Sequence, residues 1–129
     1  MDPTLTLRYV VLDVADLDRA ARFWTALLGV AEQARDSRYV WLAPQEPAAP
    51  AVVLQAVPEP KVGKARCHVD LAPADRAAAR DHALALGATL LEDVDEPGYQ
   101  LTVLADPDGI EFCIISADAR PGRSQESLA

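Results

Sequence analysis

Apolar and polar positions along this chain change rhythm several times, and the changes occur twice over. Residues 7–14 alternate with the two-residue period of a strand, and Tyr9-Val10-Val11-Leu12-Asp13-Val14 is apolar enough for both faces to be covered. From Leu17 the spacing becomes helical. Leu17, Ala20, Ala21, Trp24, Leu27 and Leu28 form one stripe with Phe23 flanking it, and Asp18, Arg19, Arg22 and Thr25 lie opposite. Asp16 stands where an N-cap belongs, Asp18 suits the first-turn dipole, and Gly29 stands where the helix should end. A short strand at 30–34, a stronger one at 38–42 and a strand at 51–57 follow, with Pro44, Pro47 and Pro50 marking the loop between the last two.

After a Pro/Lys/Gly-containing linker at 58–65 the same order returns. Arg66-Cys67-His68-Val69-Asp70-Leu71 reads as an alternating strand with His68 and Asp70 on one face and Cys67, Val69 and Leu71 on the other, which predicts Cys67 in the core. A helix from Asp75 to Leu86-Gly87 carries a smaller stripe of Ala78, Ala79, His82, Ala83 and Leu86, and His82 is given no functional role. Strands at 88–94, 99–105 and 110–115 complete the copy. Pro97-Gly98 supplies one turn and Asp106-Pro107-Asp108-Gly109 another, in which Pro107 presets φ and Gly109 admits a positive one. Superposing Gly29 on Gly87 brings Ala20-Ala21-Arg22 onto Ala78-Ala79-Arg80 and Gln55 onto Cys113. One extra residue in the first strand–helix turn then sets Tyr9 against His68. The expected architecture is α+β: tandem β-α-β-β-β modules at 7–57 and 66–116 in a single domain spanning 1–116, their eight strands forming a cupped mixed sheet around a cleft, followed by a mobile tail at 117–129.

Composition narrows the partners. Half of the 129 residues are hydrophobic and a quarter charged, ordinary for a soluble domain with a core of its own. A net charge of -8 argues against nucleic acid and anionic membrane surfaces. No apolar run approaches the roughly 20 residues of a membrane span. Two cysteines make no disulfide framework, so a reducing, cytoplasmic setting is expected.

In order and spacing, Val14-Ala15-Asp16-Leu17, Phe23-Trp24, Leu28-Gly29, His68-Val69-Asp70-Leu71, Leu86-Gly87-Ala88 and Asp106-Pro107-Asp108-Gly109 resemble the vicinal oxygen chelate superfamily, which includes glyoxalase I, bleomycin-resistance proteins and extradiol dioxygenases. Phe23-Trp24, Val57-Pro58-Glu59-Pro60-Lys61, His68-Val69-Asp70-Leu71 and Glu111-Phe112-Cys113 resemble its glyoxalase-like domain branch most. Metal-dependent members take ligands from first and last strands of the modules, positions that the resemblance carries onto Tyr9, Gln55, His68 and Cys113. Only His68 is a usual ligand, so no cage for a hard divalent cation is expected and neither metal nor cofactor is assigned. A His68, Cys113, Glu111 and Asp70 set suited to zinc is kept as the minor alternative.

The candidate catalytic residues are therefore His68, as general acid or base, and Tyr9, as a hydrogen-bond donor to a ligand oxygen. Gln55, Cys113, Trp41, Asp70, Glu111, Val11 and Val53 are the candidate ligand-binding residues. Cys113 would be a nucleophile only if a nearby cation lowered its pKa. Tyr39 and Trp41 share a strand face that would suit a planar ligand. The leading reading is a metal-independent isomerase, lyase or cyclase acting on a small organic carbonyl compound. A protein that sequesters an antibiotic-like molecule is the alternative, and a metal-dependent glyoxalase or dioxygenase the weaker one. Exposed sheet edges, with the habit of the resembled group, lead to the expectation of a homodimer.

Overall fold

The computed structural model describes residues 4–116, and the expected tail at 117–129 lies outside them. The chain divides into two units with the boundary between Pro60 and Lys61. Each is built on a four-stranded mixed sheet with one helix, so the predicted α+β class and the twofold β-α-β-β-β order are both found.

In the first unit β1 (Tyr9–Val14), α1 (Leu17–Leu28), β2 (Glu32–Arg35), β3 (Tyr39–Leu42) and β4 (Ala51–Ala56) follow in sequence. The sheet order is β1-β4-β3-β2, with β1 parallel to β4 and the other pairs antiparallel. The sequence signals at both ends of α1 act as expected. Asp16 accepts the Arg19 backbone N–H at 3.1 Å, and Gly29 turns into the left-handed region at φ 67 while its N–H reaches Thr25 O. Ala20, Ala21, Phe23 and Trp24 are buried, with Val14, Val40, Leu42 and Leu54 among the buried sheet residues. Phe23 sits inside the core rather than on its flank, its ring 5.3 Å from that of Trp24 and edge-on. A fully buried Phe, Leu or Val in this set contributes about 1.5–3 kcal/mol of transfer free energy. Asp36 starts β3 by accepting the N–H groups of Arg38 and Tyr39, both at 2.8 Å.

The second unit contains β5 (Asp70–Leu71), α2 (Arg76–Ala85), β6 (Thr89–Glu96), β7 (Tyr99–Ala105) and β8 (Glu111–Ile115), in the order β5-β8-β7-β6. Two expectations fail here. The strand predicted over 66–71 contracts to Asp70–Leu71, and Cys67, lying before it, is exposed rather than part of the core. The stripe of α2 is also turned. Ala78 and His82 are exposed and Ala83 is the buried residue, because Arg76 and Arg80 reach into the sheet. Arg76 Nη1 donates to Asp93 Oδ1 at 2.9 Å and to the fully buried Thr102 hydroxyl at 2.7 Å, while Arg80 Nη1 donates to Asp93 Oδ2 at 2.7 Å. A charge network therefore ties the helix to β6 and β7 where an apolar stripe was expected.

The predicted turns are present. Pro97-Gly98 joins β6 to β7 with Gly98 at φ 76. Asp106 binds its own turn: its Oδ1 accepts from the N–H groups of Asp108 and Ile110, and Gly109 stands at φ 84.

Candidate functional site

In the first unit, strand register decides which side chains share a face. Tyr9 pairs with Ala51, Val11 with Val53 and Asp13 with Gln55 across β1 and β4, and Tyr39 and Trp41 pair with Gln55 and Val53 across β3 and β4. Tyr9, Val11, Asp13, Val53, Gln55, Tyr39 and Trp41 therefore lie on the face away from α1. Tyr9 and Val11 are 45% and 50% exposed, whereas Val53 is buried. The Tyr39 and Trp41 rings are 5.3 Å apart and tilted by 36°, a continuous aromatic surface.

This register corrects the expected pairing of ligand positions. Tyr9 and Gln55 stand four rungs apart, roughly 13 Å along the strand. Asp70 pairs with Cys113 just as Asp13 pairs with Gln55. With Gln55 matched to Cys113, Asp70 corresponds to Asp13, and His68 therefore to Val11 rather than to Tyr9. The extra residue of the repeat belongs to the second strand–helix segment. Periodicity alone could not reveal this, because a shift of two residues leaves the alternation unchanged.

The second unit brings an imidazole, a carboxylate and a thiol together. His68 Nε2 lies 3.4 Å from Asp70 Oδ1, and the two side chains are 29% and 27% exposed. Ligand atoms of His68, Asp70 and Cys113 all fall within 4.8 Å of one another. Cys113 is buried in a cluster with Leu101 and Val103, against which Val94 and Ile115 pack. Burial pushes its thiol up to about 12, with the charge of Asp70, a hydrogen bond to Asp70 and the charge of Glu92 adding to the effect. A thiol so held is not a nucleophile at neutral pH. The charged neighbours that add to burial are carboxylates, whereas activation requires a cation.

Glu111, two residues before Cys113, is not part of this cluster. Its Oε1 accepts from Lys61 Nζ at 2.9 Å and from the Ala65 N–H at 3.3 Å. Burial alone would raise its carboxyl, but these contacts outweigh it and hold the group below the usual range. Lys61 also donates to Gly63 O, so the basic residue fastens the linker to the first residue of β8.

A separate open groove of about 320 Å³ runs along α1 and β2 in the first unit, lined by Asp18, Arg22, Thr25, Glu32 and Arg35 among others. Arg35 there is engaged by Glu32 at 2.8 Å and Asp18 at 2.5 Å. None of the predicted site residues lines it.

A model of the glyoxalase-like domain matches residues 9–115. The chain belongs to this family. Structural neighbours include glyoxalase/bleomycin resistance/dioxygenase family and fosfomycin resistance proteins. One is a glyoxalase/bleomycin resistance protein/dioxygenase family enzyme from Burkholderia phytofirmans PsJN, at 19% identity and a TM-score of 0.72 over 88% of this chain and 99% of that one. A glyoxalase/bleomycin resistance protein from Albidiferax ferrireducens T118 matches at 23% identity and 0.64, over 88% and 98%. The fosfomycin resistance protein FosX from Listeria monocytogenes, solved with Mn(II) and sulfate, matches at 14% identity and 0.74 over the whole of both chains. At these identities the likeness establishes the fold. No curated protein matches the chain.

The ligand positions that the resemblance carries onto this chain do not form one donor set: Tyr9 stands four rungs from Gln55, Val11 is the residue equivalent to His68, and Cys113 is a buried thiol. Among the described residues, the group with metal-ligand spacing is His68, Asp70 and Cys113, all in the second unit.

Proposed function

We propose that this protein is an enzyme that moves a proton on a small organic carbonyl compound, with His68 as the acid–base group and no metal in the chemical step. The observation that carries this reading is the 3.4 Å approach of His68 Nε2 to Asp70 Oδ1, both partly exposed at the start of β5, beside a buried apolar cluster. The carboxylate orients the ring and supplies a counter-charge when the ring holds its second proton, and the imidazole is partly exposed. Isomerase or lyase chemistry needs little more than a positioned proton carrier and a donor to the carbonyl oxygen. Tyr9 and Gln55, roughly 13 Å apart on the open face of the first unit, are proposed as two separate polar contacts for a ligand on that face.

A second reading, sequestration of a planar compound without chemistry, is favoured by the Tyr39–Trp41 aromatic surface with Tyr9 and Val11 exposed beside it. Screening small carbonyl compounds against chelator-treated protein by thermal shift, then following the hits by NMR, separates the two. Turnover that His68→Ala abolishes supports the enzyme. Tight binding without turnover, weakened by Trp41→Ala but not by His68→Ala, supports sequestration.

A homodimer is part of the proposal. Leu5 and Leu7, exposed just before the edge strand β1, are an apolar surface that a second copy would cover. Light scattering on the purified protein tests it, with a monomer at micromolar concentration as the opposing result. A cytoplasmic location agrees with two free cysteines.

A further inference from the structure

We propose that His68, Asp70 and Cys113 form a binding site for a thiophilic divalent cation of the zinc class, and that the bound cation withdraws His68 from proton transfer. The second half rests on the acid–base reading above; the first half stands without it. Imidazole, carboxylate and thiol are brought together by the parallel pairing of β5 with β8, in which Asp70 stands opposite Cys113. Their ligand atoms already lie within 4.8 Å of one another. Bond lengths of about 2.0–2.3 Å to zinc place tetrahedral donors roughly 3.3–3.8 Å apart, so a contraction of at most about 1.5 Å closes the set.

The donor types select the ion. A thiolate with an imidazole favours zinc and similar ions over magnesium, calcium or manganese, which prefer oxygen. Charge balance agrees, because one thiolate and one carboxylate neutralise a divalent cation on a face whose wall is Leu101 and Val103. Glu111 is already compensated by Lys61, and the charge of Glu92, which also bears on Cys113, adds to the attraction for a cation. Access is also provided: Cys113 is buried, but His68 and Asp70 are 29% and 27% exposed, leaving a fourth position for water. On binding, the metal–sulfur bond replaces the S–H bond and the proton passes to solvent. An imidazole nitrogen that coordinates the cation can no longer accept a proton from a substrate. The ion is then an inhibitor of proton transfer at His68.

The test uses chelator-stripped Cys67→Ser protein, so that Cys113 is its one thiol. Titration with Zn(II) at pH 7 is expected to show one ion per chain and release of about one proton per ion. Co(II) in place of zinc should give a thiolate charge-transfer band. Cys113→Ser should remove the band and weaken zinc binding about 100-fold, and Asp70→Asn about 10-fold or more. No binding at about 100 μM Zn(II), a cobalt spectrum without the band, or equal affinity in Asp70→Asn overturns the site. Should Cys113→Ser not fold, the wild-type cobalt spectrum and Asp70→Asn decide. A protein that catalyses proton exchange yet takes up no zinc sinks the metal site alone. A protein that binds zinc but exchanges nothing sinks the acid–base reading and the inhibition, and leaves the site standing.

Discussion

Replacing Asp70 by Asn in a Cys67→Ser background isolates what holds the Cys113 proton in place. Burial is the largest cause of that thiol's resistance to ionisation, and the charge and hydrogen bond of Asp70 come next. Moving from the ordinary 9.0 to about 12 cuts the thiolate fraction at pH 8. Each unit is a factor of ten, so the three-unit difference amounts to about a thousandfold. Since the thiolate is the nucleophile, alkylation of Cys113 by iodoacetamide should be at least about 10³-fold slower than that of a cysteine peptide under the same conditions. Asp70→Asn removes the charge and weakens the acceptor but leaves the apolar wall, so the rate should rise about tenfold and remain well below that of the peptide. Mass spectrometry of the alkylated protein over time reads both numbers. A wild-type rate within tenfold of the peptide would refute the argument, as would an Asp70→Asn protein that reacts no faster.

Three other outcomes follow from the same structure. The folded-state pKa of Cys113 is raised, so its contribution to stability is fully present below pH 9 and is lost as pH rises from about 9 towards 12, by up to about 4 kcal/mol; urea midpoints against pH should fall across that window, and Cys113→Ala should flatten the fall. Asp93→Ala leaves Arg76 and the buried Thr102 hydroxyl without their common acceptor and should cost about 2–3 kcal/mol, whereas Thr102→Val should cost about 1 kcal/mol, both read by denaturant unfolding. Gly109→Ala has room, its nearest neighbour being Lys61 Cδ at 3.7 Å, but its φ of 84 should make the substitution cost about 1–2 kcal/mol of stability.

What the sequence made legible was local and periodic. Asp16 and Gly29 bound α1 because capping is chemistry within one turn, and Asp106 to Gly109 form their turn for the same reason. The duplication was visible because both copies need the same alternation of periods. The relation of Tyr9 to His68 was not, since pairing register depends on hydrogen bonds between strands distant in sequence. Cys67 sits at a position of correct parity, yet the strand that would have buried it is only two residues long. Arg76 and Arg80 could not be placed by an apolar stripe, because Asp93 and Thr102 draw them inward from a different element. The closeness of His68, Asp70 and Cys113 was partly foreseen through shared strand parity. Glu111 shares that parity but is captured by Lys61, a contact across 50 residues.

The central claim is that His68, held by Asp70, carries a proton to and from a small carbonyl compound. Its most direct measurement is exchange of carbon-bound hydrogen for deuterium in D2O, followed by proton NMR over a panel of α-hydroxycarbonyl compounds with chelator-treated protein. The account predicts that at least one member exchanges, that His68→Ala reduces the rate by about 10²-fold or more, and that added Zn(II) suppresses it. Exchange that proceeds equally in His68→Ala would contradict it.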